Sequence, residues 1–128
     1  MLKWLVVFLL VSQTGFTQLS FSRYRTVYIF YTTDTREPLN QQLKWLSADK
    51  AGCDERDIQI IQLDMRTAQK SELDKFSVNE KFTVVLLGKD GTEKYRSEKP
   101  VPTKTLFFLI DQMPMRQSEL KRKGNSPY

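Results

Sequence analysis

The chain has 128 residues, a formal net charge of +5, 40% hydrophobic residues and 12% aromatic residues. This length and hydrophobic content predict one folded domain with its own core, and they exclude an intrinsically disordered protein. The sequence contains no histidine. That absence excludes Ser-His-Asp and Cys-His catalysis, as well as zinc or haem sites built on histidine.

The N-terminus has the pattern of a targeting segment. Lys3 precedes a continuous apolar run from Trp4 to Val11, and small polar residues follow it. The pattern predicts a signal peptide over residues 1–17 with cleavage near Thr17/Gln18, or a little further along the chain. An uncleaved anchor is the alternative, but the run is shorter than the roughly 20 residues that span a bilayer. We therefore expect a secreted or periplasmic protein with no stable membrane anchor after cleavage.

Strands and helices alternate in the first half of the predicted domain. Thr26–Tyr31 is β-branched and aromatic without strict alternation, which is typical of a strand buried on both faces. Leucines at helical spacing predict an amphipathic helix over Pro38–Ser47 that ends before Gly52. A second strand over Asp57–Leu63 and a weaker helix over Thr67–Phe76 follow.

The second half predicts a hairpin and a closing helix. Phe82–Leu87 is an apolar strand, Gly88–Gly91 a tight turn, and Glu93–Arg96 a charged returning strand at a sheet edge. We expect Thr103 to cap an apolar helix that Pro114 ends.

The order β-α-β-α-β-β-α predicts an α/β fold with three layers, α/β/α. Its mixed sheet has about four strands, with a parallel first pair and a final antiparallel hairpin, followed by a C-terminal helix. The domain is expected over residues 18–117, and residues 118–128 are expected to form a basic, flexible tail.

This order resembles the thioredoxin fold, and Thr83–Gly91 resembles the segment of that family in which a core strand is followed by a Lys-Asn-Gly turn. In that family a Cys-x-x-Cys motif follows the first core strand, and a cis-proline precedes the third. The matching stretch Asp34–Pro38 contains no cysteine here, and no proline stands at Lys81–Phe82. The resemblance therefore implies a thioredoxin-like domain without a redox motif and without a cofactor.

Three short segments carry a closer resemblance: Glu55–Asp57, Leu87–Gly91 and Ile110–Arg116. They are similar to a family known only as a domain of unknown function, found as small exported bacterial proteins. Related domains occur in vertebrate extracellular-matrix proteins of the Drs, equarin and sushi-repeat group. The resemblance implies a thioredoxin-like fold, related in shape to peroxiredoxins, and an exported location. The motif residues are Arg56, Asp57, Gly88, Asp90, Gly91, Asp111, Met113, Pro114 and Met115.

Four cations near these segments are the candidate binding residues: Lys89, Lys94, Arg96 and Arg116. Together they offer an anion site for a carboxylate, a phosphate or an acidic glycan, since arginine binds such groups bidentately. The alternative is structural, with charges that keep an edge strand soluble and complement a helix C-terminus. Export disfavours nucleic acid as a partner.

The other motif residues have structural interpretations. Asp111 with Arg116, and Arg56 with Asp57 or Asp64, are expected to form ion pairs. Met113 and Met115, which flank Pro114, are expected to pack in the core and as a lid rather than to bind copper(I), so no metal is predicted.

Cys53 is the sole cysteine, so an intramolecular disulfide is impossible. The favoured interpretation is a partly buried side chain at a helix end. The alternative is the thiol of a peroxiredoxin-like or thioredoxin-like reductase, which needs an electropositive or helix-terminal position. The sequence therefore favours a non-catalytic binding or interaction module for a protein or an envelope or matrix component.

Overall fold

The computed structural model describes residues 21–124, which fold around a mixed four-stranded sheet of order β2-β1-β3-β4. β1 runs parallel to β2 and antiparallel to β3, and β3 forms the antiparallel hairpin with β4. The predicted parallel pair and hairpin are confirmed. The strands are β1 (Arg25–Tyr31), β2 (Ile58–Asp64), β3 (Thr83–Leu87) and β4 (Glu93–Ser97).

Helices cover both faces of this sheet. They are α1 (Arg36–Ala48), α2 (Lys50–Glu55), α3 (Lys70–Lys75), α4 (Thr103–Asp111) and α5 (Pro114–Gly124). The side chains of β1 divide the core, because successive residues of a strand point to opposite faces. Val27 and Ile29 pack with α1, α2 and α4, whereas Phe30 packs with Phe76 at the end of α3. The predicted three-layer α/β/α architecture is confirmed.

The turn between β3 and β4 is fixed by its own hydrogen bonds. The Gly91 N–H donates to Gly88 O at 3.0 Å, and Gly91 has a φ of 76°, which glycine adopts without strain. The Asp90 carboxylate accepts from the Thr92 N–H at 3.0 Å and from Lys94 Nζ at 2.9 Å. These hydrogen bonds lower the pKa of Asp90 to about 2, and the one from the Thr92 backbone has the largest effect.

Two predicted helix ends are wrong. Pro102, not Thr103, occupies the position before α4, and the Thr103 hydroxyl is buried without a hydrogen-bond partner in residues 21–124. α3 begins at Lys70 rather than at Thr67, because the Thr67 and Ala68 N–H groups donate to Asp64 O and form a turn there.

A further helix follows the predicted closing helix. α4 ends at Asp111, before Pro114 as expected, but Pro114 then begins an unpredicted helix, α5, in keeping with the tolerance of proline in the first turn of a helix. Residues 118–124, expected to belong to a flexible tail, continue α5 to Gly124. The helix is held to the domain by Arg116 and Glu119, whose side chains form ion pairs with other elements.

The predicted signal peptide over residues 1–17 and its cleavage site lie outside the described residues. Within residues 21–124, no helix is both long enough and apolar enough to cross a membrane.

Candidate binding site

The position that the thioredoxin fold uses for its dithiol is occupied here by polar groups of other kinds. A 3-10 turn, Thr33–Thr35, follows β1 and leads into α1. The Thr35 hydroxyl donates to Lys81 O at 2.9 Å, and the Asp34 carboxylate lies 3.7 Å from Lys81 Nζ. The two stretches compared with thioredoxin are thus in contact, but they bring together a hydroxyl, a carboxylate and an ammonium group. None of these can exchange with a disulfide.

The sole thiol is far from this position. Cys53 lies in α2, beyond α1, whose 13 residues extend about 20 Å. Its side chain is buried, and Sγ donates to Leu46 O at 3.7 Å. Burial, followed by the charges of Asp49 and Asp54, raises the pKa of the Cys53 thiol. Burial and these carboxylates outweigh the nearby cations Arg56 and Lys50, so the surroundings do not stabilise a nucleophilic thiolate.

The charged motif residues meet at the opposite end of the sheet, where β1 and β2 begin. They come from the start of β1, the end of α2 and the two residues that follow it, the turn after β3, the end of α4, and α5. Together they form the ion-pair network: Arg25, Glu55, Arg56, Asp57, Lys89, Asp111, Arg116 and Glu119.

Asp111 connects two arginines in one part of the network. Arg56 Nε and Nη2 lie 3.0 and 2.9 Å from the two Asp111 carboxylate oxygens, and Arg116 Nε lies 3.2 Å from Oδ1. Burial opposes ionisation of Asp111, but the hydrogen bonds from both arginines outweigh it and lower its pKa. The expected pair of Asp111 with Arg116 is present. The expected pairs of Arg56 with Asp57 or Asp64 are not, because Arg56 instead binds Asp111 bidentately.

Arg116 is a structural member of this network rather than a free cation. Only 1% of its side chain is exposed. Its Nη2 lies 3.0 Å from Glu55 Oε1, and its Nη1 donates to the Glu55 carbonyl at 3.2 Å. The arginine therefore joins α5 to the end of α2.

Glu119 is the centre of the other part. Its Oε1 lies 3.1 Å from Arg25 Nη2 and 2.7 Å from Lys89 Nζ, and Lys89 also reaches Asp57 Oδ2 at 2.8 Å. Burial would raise the pKa of Glu119, but the hydrogen bonds from Lys89 and Arg25 prevail and lower it to about 2. The Glu119 carboxylate is therefore ionised in the folded protein at neutral pH.

A pocket of about 160 Å³ opens beside this network. The turn after β3 forms one wall, and Met113 with the first two residues of α5, Pro114 and Met115, forms the other. The lining residues, which define the motif pocket, are Arg25, Gly88, Lys89, Asp90, Lys94, Met113, Pro114 and Met115. Segments that the sequence only suggested to be neighbours therefore enclose one cavity.

The sequence matches a family described as "Domain of unknown function (DUF4174)" over residues 20–119. The chain belongs to this family. No curated protein matches the chain.

The similarity to solved structures shows that this chain has the thioredoxin-like fold. Trxlp from Edwardsiella tarda EIB202 is 27% identical with a TM-score of 0.53, and the match covers 77% of this chain and 93% of that one. Thioredoxin-2, described as a component of malaria parasite protein secretion machinery, is 24% identical with a TM-score of 0.56, covering 70% and 84%. StoA from Bacillus subtilis is 12% identical with a TM-score of 0.50, covering 69% and 83%.

The four candidate cations of this protein do not form one open basic surface. Lys89 and Lys94 line the motif pocket, and Arg116 lies buried in the ion-pair network. Arg96 faces elsewhere, since its Nη2 donates to Phe76 O and to Glu93 Oε1, the latter at 2.6 Å. The structure therefore brings together two of the four, Lys89 and Lys94, at one pocket.

Sequence reasoning missed two residues of this site, Arg25 and Glu119. Their hydrogen bonds span 94 positions of the chain, a distance that no local pattern encodes. A weak signal was present in each case: an arginine directly precedes the apolar and aromatic run of β1, and a lone acid stands among the basic residues that follow Arg116.

The described part of the chain contains no cluster of acidic or cysteine side chains suited to a metal ion. Met113 packs against the main core cluster, whereas Met115 is 41% exposed at the rim of the motif pocket. Met113 thus lies against the core, and Met115 lies at the rim, where it is available to contact a ligand.

Proposed function

We propose that this protein is a binding module built on a thioredoxin-like fold, and that it is not a thiol oxidoreductase. One observation carries the proposal. The segments typical of the family enclose the motif pocket at one end of the sheet, while the dithiol position at the other end holds Thr35, Asp34 and Lys81. Residues that bind a ligand need a rigid frame, and the ion-pair network supplies one beside the pocket.

A reductase that uses Cys53 is the alternative. Such an enzyme needs a thiolate that can reach a disulfide or a peroxide. The buried position of Cys53 and its raised pKa both oppose this chemistry. The binding interpretation is therefore the stronger of the two.

We also propose that the protein acts outside the cytoplasm, on the pattern of residues 1–17. Expression with its own N-terminus, followed by mass spectrometry of the mature chain, tests this directly. We expect a product that begins near Gln18 in the secreted or periplasmic fraction. A full-length product that stays in the cytoplasm would rule out export.

The binding role is tested by affinity capture of a protein or an envelope component from the extracytoplasmic fraction of the source organism. Met115→Glu places a charge at the rim of the motif pocket. Phe108→Glu places the same charge on α4, at a side chain that is 66% exposed and does not line the pocket. We expect a component that the unmodified protein and Phe108→Glu retain and that Met115→Glu loses.

The outcomes separate the two functions. Retention that does not depend on Met115, or no retained component at all, counts against a binding site at the motif pocket. In parallel, the protein is assayed for reduction of insulin disulfides with dithiothreitol. Activity that is present in the unmodified protein and absent in Cys53→Ser would establish the reductase instead.

A further inference from the structure

β2 forms one outer edge of the sheet, and within residues 21–124 no strand pairs with its outer side. The Arg25 N–H donates to Asp57 O at 2.8 Å, so every second residue counted from Asp57 bonds to β1. The residues between them direct their backbone groups to the other side, because these groups alternate along a strand. Ile58, Ile60 and Gln62 therefore present unpaired N–H and C=O groups at the edge.

The two edges of the sheet differ in charge. β4, at the opposite edge, carries Glu93, Lys94 and Arg96 among its five residues. β2 has neither a charged residue nor a proline from Ile58 to Leu63. Charges and prolines protect an edge strand, because its unpaired backbone groups otherwise serve as a template for another strand. β4 has this protection and β2 does not, so β2 is the edge that is suited to pairing.

An apolar groove of about 480 Å³ runs beside the edge of β2. Leu43 and Leu46 of α1 line one side of it, and Ile58 and Ile60 of β2 line the other. Ile60 is 39% exposed, although it belongs to the face of the sheet that packs on α1. A strand added to this edge would lay alternate side chains over the groove, which is the usual geometry of strand addition.

The N-terminal segment of the chain is too short to cover this edge after cleavage. Cleavage near Gln18, the expected site, leaves three residues before Phe21. Three residues extend at most about 10 Å, whereas the seven residues of β2 extend about 23 Å. The Ser22 N–H donates to Lys89 O, which follows β3, so the chain also approaches β1 on the side away from β2.

A second copy of the chain presents the same edge, and antiparallel pairing about a two-fold axis satisfies both copies at once. Within the uncharged run, a register centred on Ile60 pairs Ile60 with Ile60 and Ile58 with Gln62, which gives roughly six backbone hydrogen bonds. A register centred on Ile61 gives roughly four, since only Ile60 and Gln62 then pair through their outward groups. The register centred on Ile60 is therefore the best, and it brings no like charges together.

The size of the edge limits the strength of such a contact. A strip about 23 Å long and about 20 Å deep, which includes the strand and the helix layer on its α1 face, covers roughly 450 Å² of each copy. A stable interface buries about 800 Å² of each partner. The contact is therefore a weak one, with a dissociation constant on the order of 0.1 mM.

We propose that two copies of this protein associate through their β2 edges, antiparallel and centred on Ile60, so that the four strands of each copy form one continuous sheet. This inference goes beyond the proposed binding role. The motif pocket lies at the end of the sheet where β1 and β2 begin, so the two-fold axis places the two pockets at opposite ends of the joined sheet. The dimer thereby binds two partners, or one partner at two places with a gain in avidity.

The first test is sedimentation velocity of the protein, isolated with the N-terminus that it carries in the cell, from about 10 µM to about 1 mM. We expect the mean mass to rise towards that of a dimer. Ile60→Lys sets like charges opposite each other and is expected to weaken the dimer at least about tenfold. Phe108→Lys is the control, because it adds the same charge at an exposed position of α4.

Disulfide cross-linking tests the register. In a Cys53→Ser background, Ile60→Cys places two Cα atoms about 5.5 Å apart across the axis, which is within the range of a disulfide. Gln62→Cys is the matched control on the same edge, because its Cα atoms in the two copies lie about 14 Å apart in this register. We expect Ile60→Cys to form covalent dimers at least about tenfold faster than Gln62→Cys under mild oxidation.

Four results would overturn the proposal. The first is a protein that stays monomeric at about 1 mM. The second is cross-linking of Gln62→Cys that is as fast as that of Ile60→Cys, and the third is equal weakening of the dimer by Ile60→Lys and Phe108→Lys. The fourth is slow hydrogen exchange of the Ile58, Ile60 and Gln62 amides in the dilute monomer, which would show that another segment of the chain covers the edge. None of these results bears on the capture experiment at the motif pocket.

Discussion

Glu119 on α5 places its carboxylate 3.1 Å from Nη2 of Arg25, the first residue of β1. The contact joins the first strand of the sheet to the last helix, and Lys89 Nζ reaches the same oxygen at 2.7 Å. Only 13% of the Glu119 side chain and 1% of the Arg25 side chain are exposed. The last helix is therefore part of the domain, and its anchor is electrostatic more than apolar.

Glu119→Gln is expected to destabilise the protein. The amide keeps the shape of the side chain but leaves Arg25 and Lys89 without their shared counter-charge, and unpaired buried charges are costly. We expect the free energy of unfolding to fall by about 2 kcal/mol at pH 7, measured by urea denaturation. The matched control is Glu98→Gln, an exposed residue, for which the change should stay within about 0.5 kcal/mol. Equal effects of the two variants would show that the Glu119 ion pairs contribute nothing.

The contribution of Glu119 to stability should also depend on pH. Its pKa is lowered from 4.5 to about 2 in the folded protein, so the folded state binds this proton less readily than the unfolded chain does. The stabilisation is therefore complete above pH 4.5 and is lost as the pH falls towards 2. We expect the difference in unfolding free energy between the unmodified protein and Glu119→Gln to shrink over this range. If the difference in unfolding free energy stayed constant down to a pH of about 2, the result would contradict the lowered pKa of Glu119.

The sequence predicts the sheet well because the signals that specify it are local. An apolar run such as Val84–Leu86 or a turn glycine such as Gly91 determines its own conformation. The pairing of Asp111 with Arg116 was predictable for the same reason, since the two lie five residues apart. The resemblance to thioredoxin then supplies the order in which the elements pack.

The sequence does not predict α5 or the centre of the site. α5 is rich in charged residues and contains few apolar ones, so its pattern is that of a solvated tail. What holds it is the contact of Arg116 with Glu55 and of Glu119 with Arg25, which are 61 and 94 positions apart. Such contacts depend on the finished fold, and no rule of spacing or propensity reveals them. The motif pocket, which depends on the position of α5, is hidden for the same reason.

Cys53 is expected to react slowly in the folded protein. The thiol is buried in α2 and its pKa is raised, so both access and the thiolate fraction are low at neutral pH. We expect iodoacetamide at pH 7.5 to alkylate Cys53 at least about tenfold more slowly in the folded protein than in the chain unfolded by guanidinium. Mass spectrometry measures the fraction of alkylated protein over time. Ser71→Cys in a Cys53→Ser background supplies an exposed thiol on α3 for comparison. Native Cys53 that reacts as fast as this control would reopen the reductase alternative.

Gly52 is expected to be required for the packing of α2 against α4. A methyl group at this position would lie 2.6 Å from Cε2 of the Phe107 ring, which stacks on the Arg56 guanidinium at 4.0 Å. Alanine favours helix by about 1 kcal/mol over glycine, yet the clash must displace the ring from a packed site. We therefore expect Gly52→Ala to lower the free energy of unfolding by about 1–3 kcal/mol. Gly124→Ala is the control, since nothing lies within 4 Å of a methyl group there.

A double variant tests whether the ring is the cause. Phe107→Leu removes the atoms that the new methyl group would meet, so Gly52→Ala should cost less in that background than in the unmodified protein. The measurement is a double-mutant cycle by urea denaturation, and a coupling energy above about 0.5 kcal/mol is expected for residues in contact. Strict additivity would mean that the loss arises elsewhere, for example from Asp49, whose Oδ1 would lie 2.8 Å from the same methyl group. In that case the stability is lost because the methyl group disrupts the hydrogen bond from the Gly52 N–H to the N-cap residue Asp49, and not because it disrupts the α2–α4 contact.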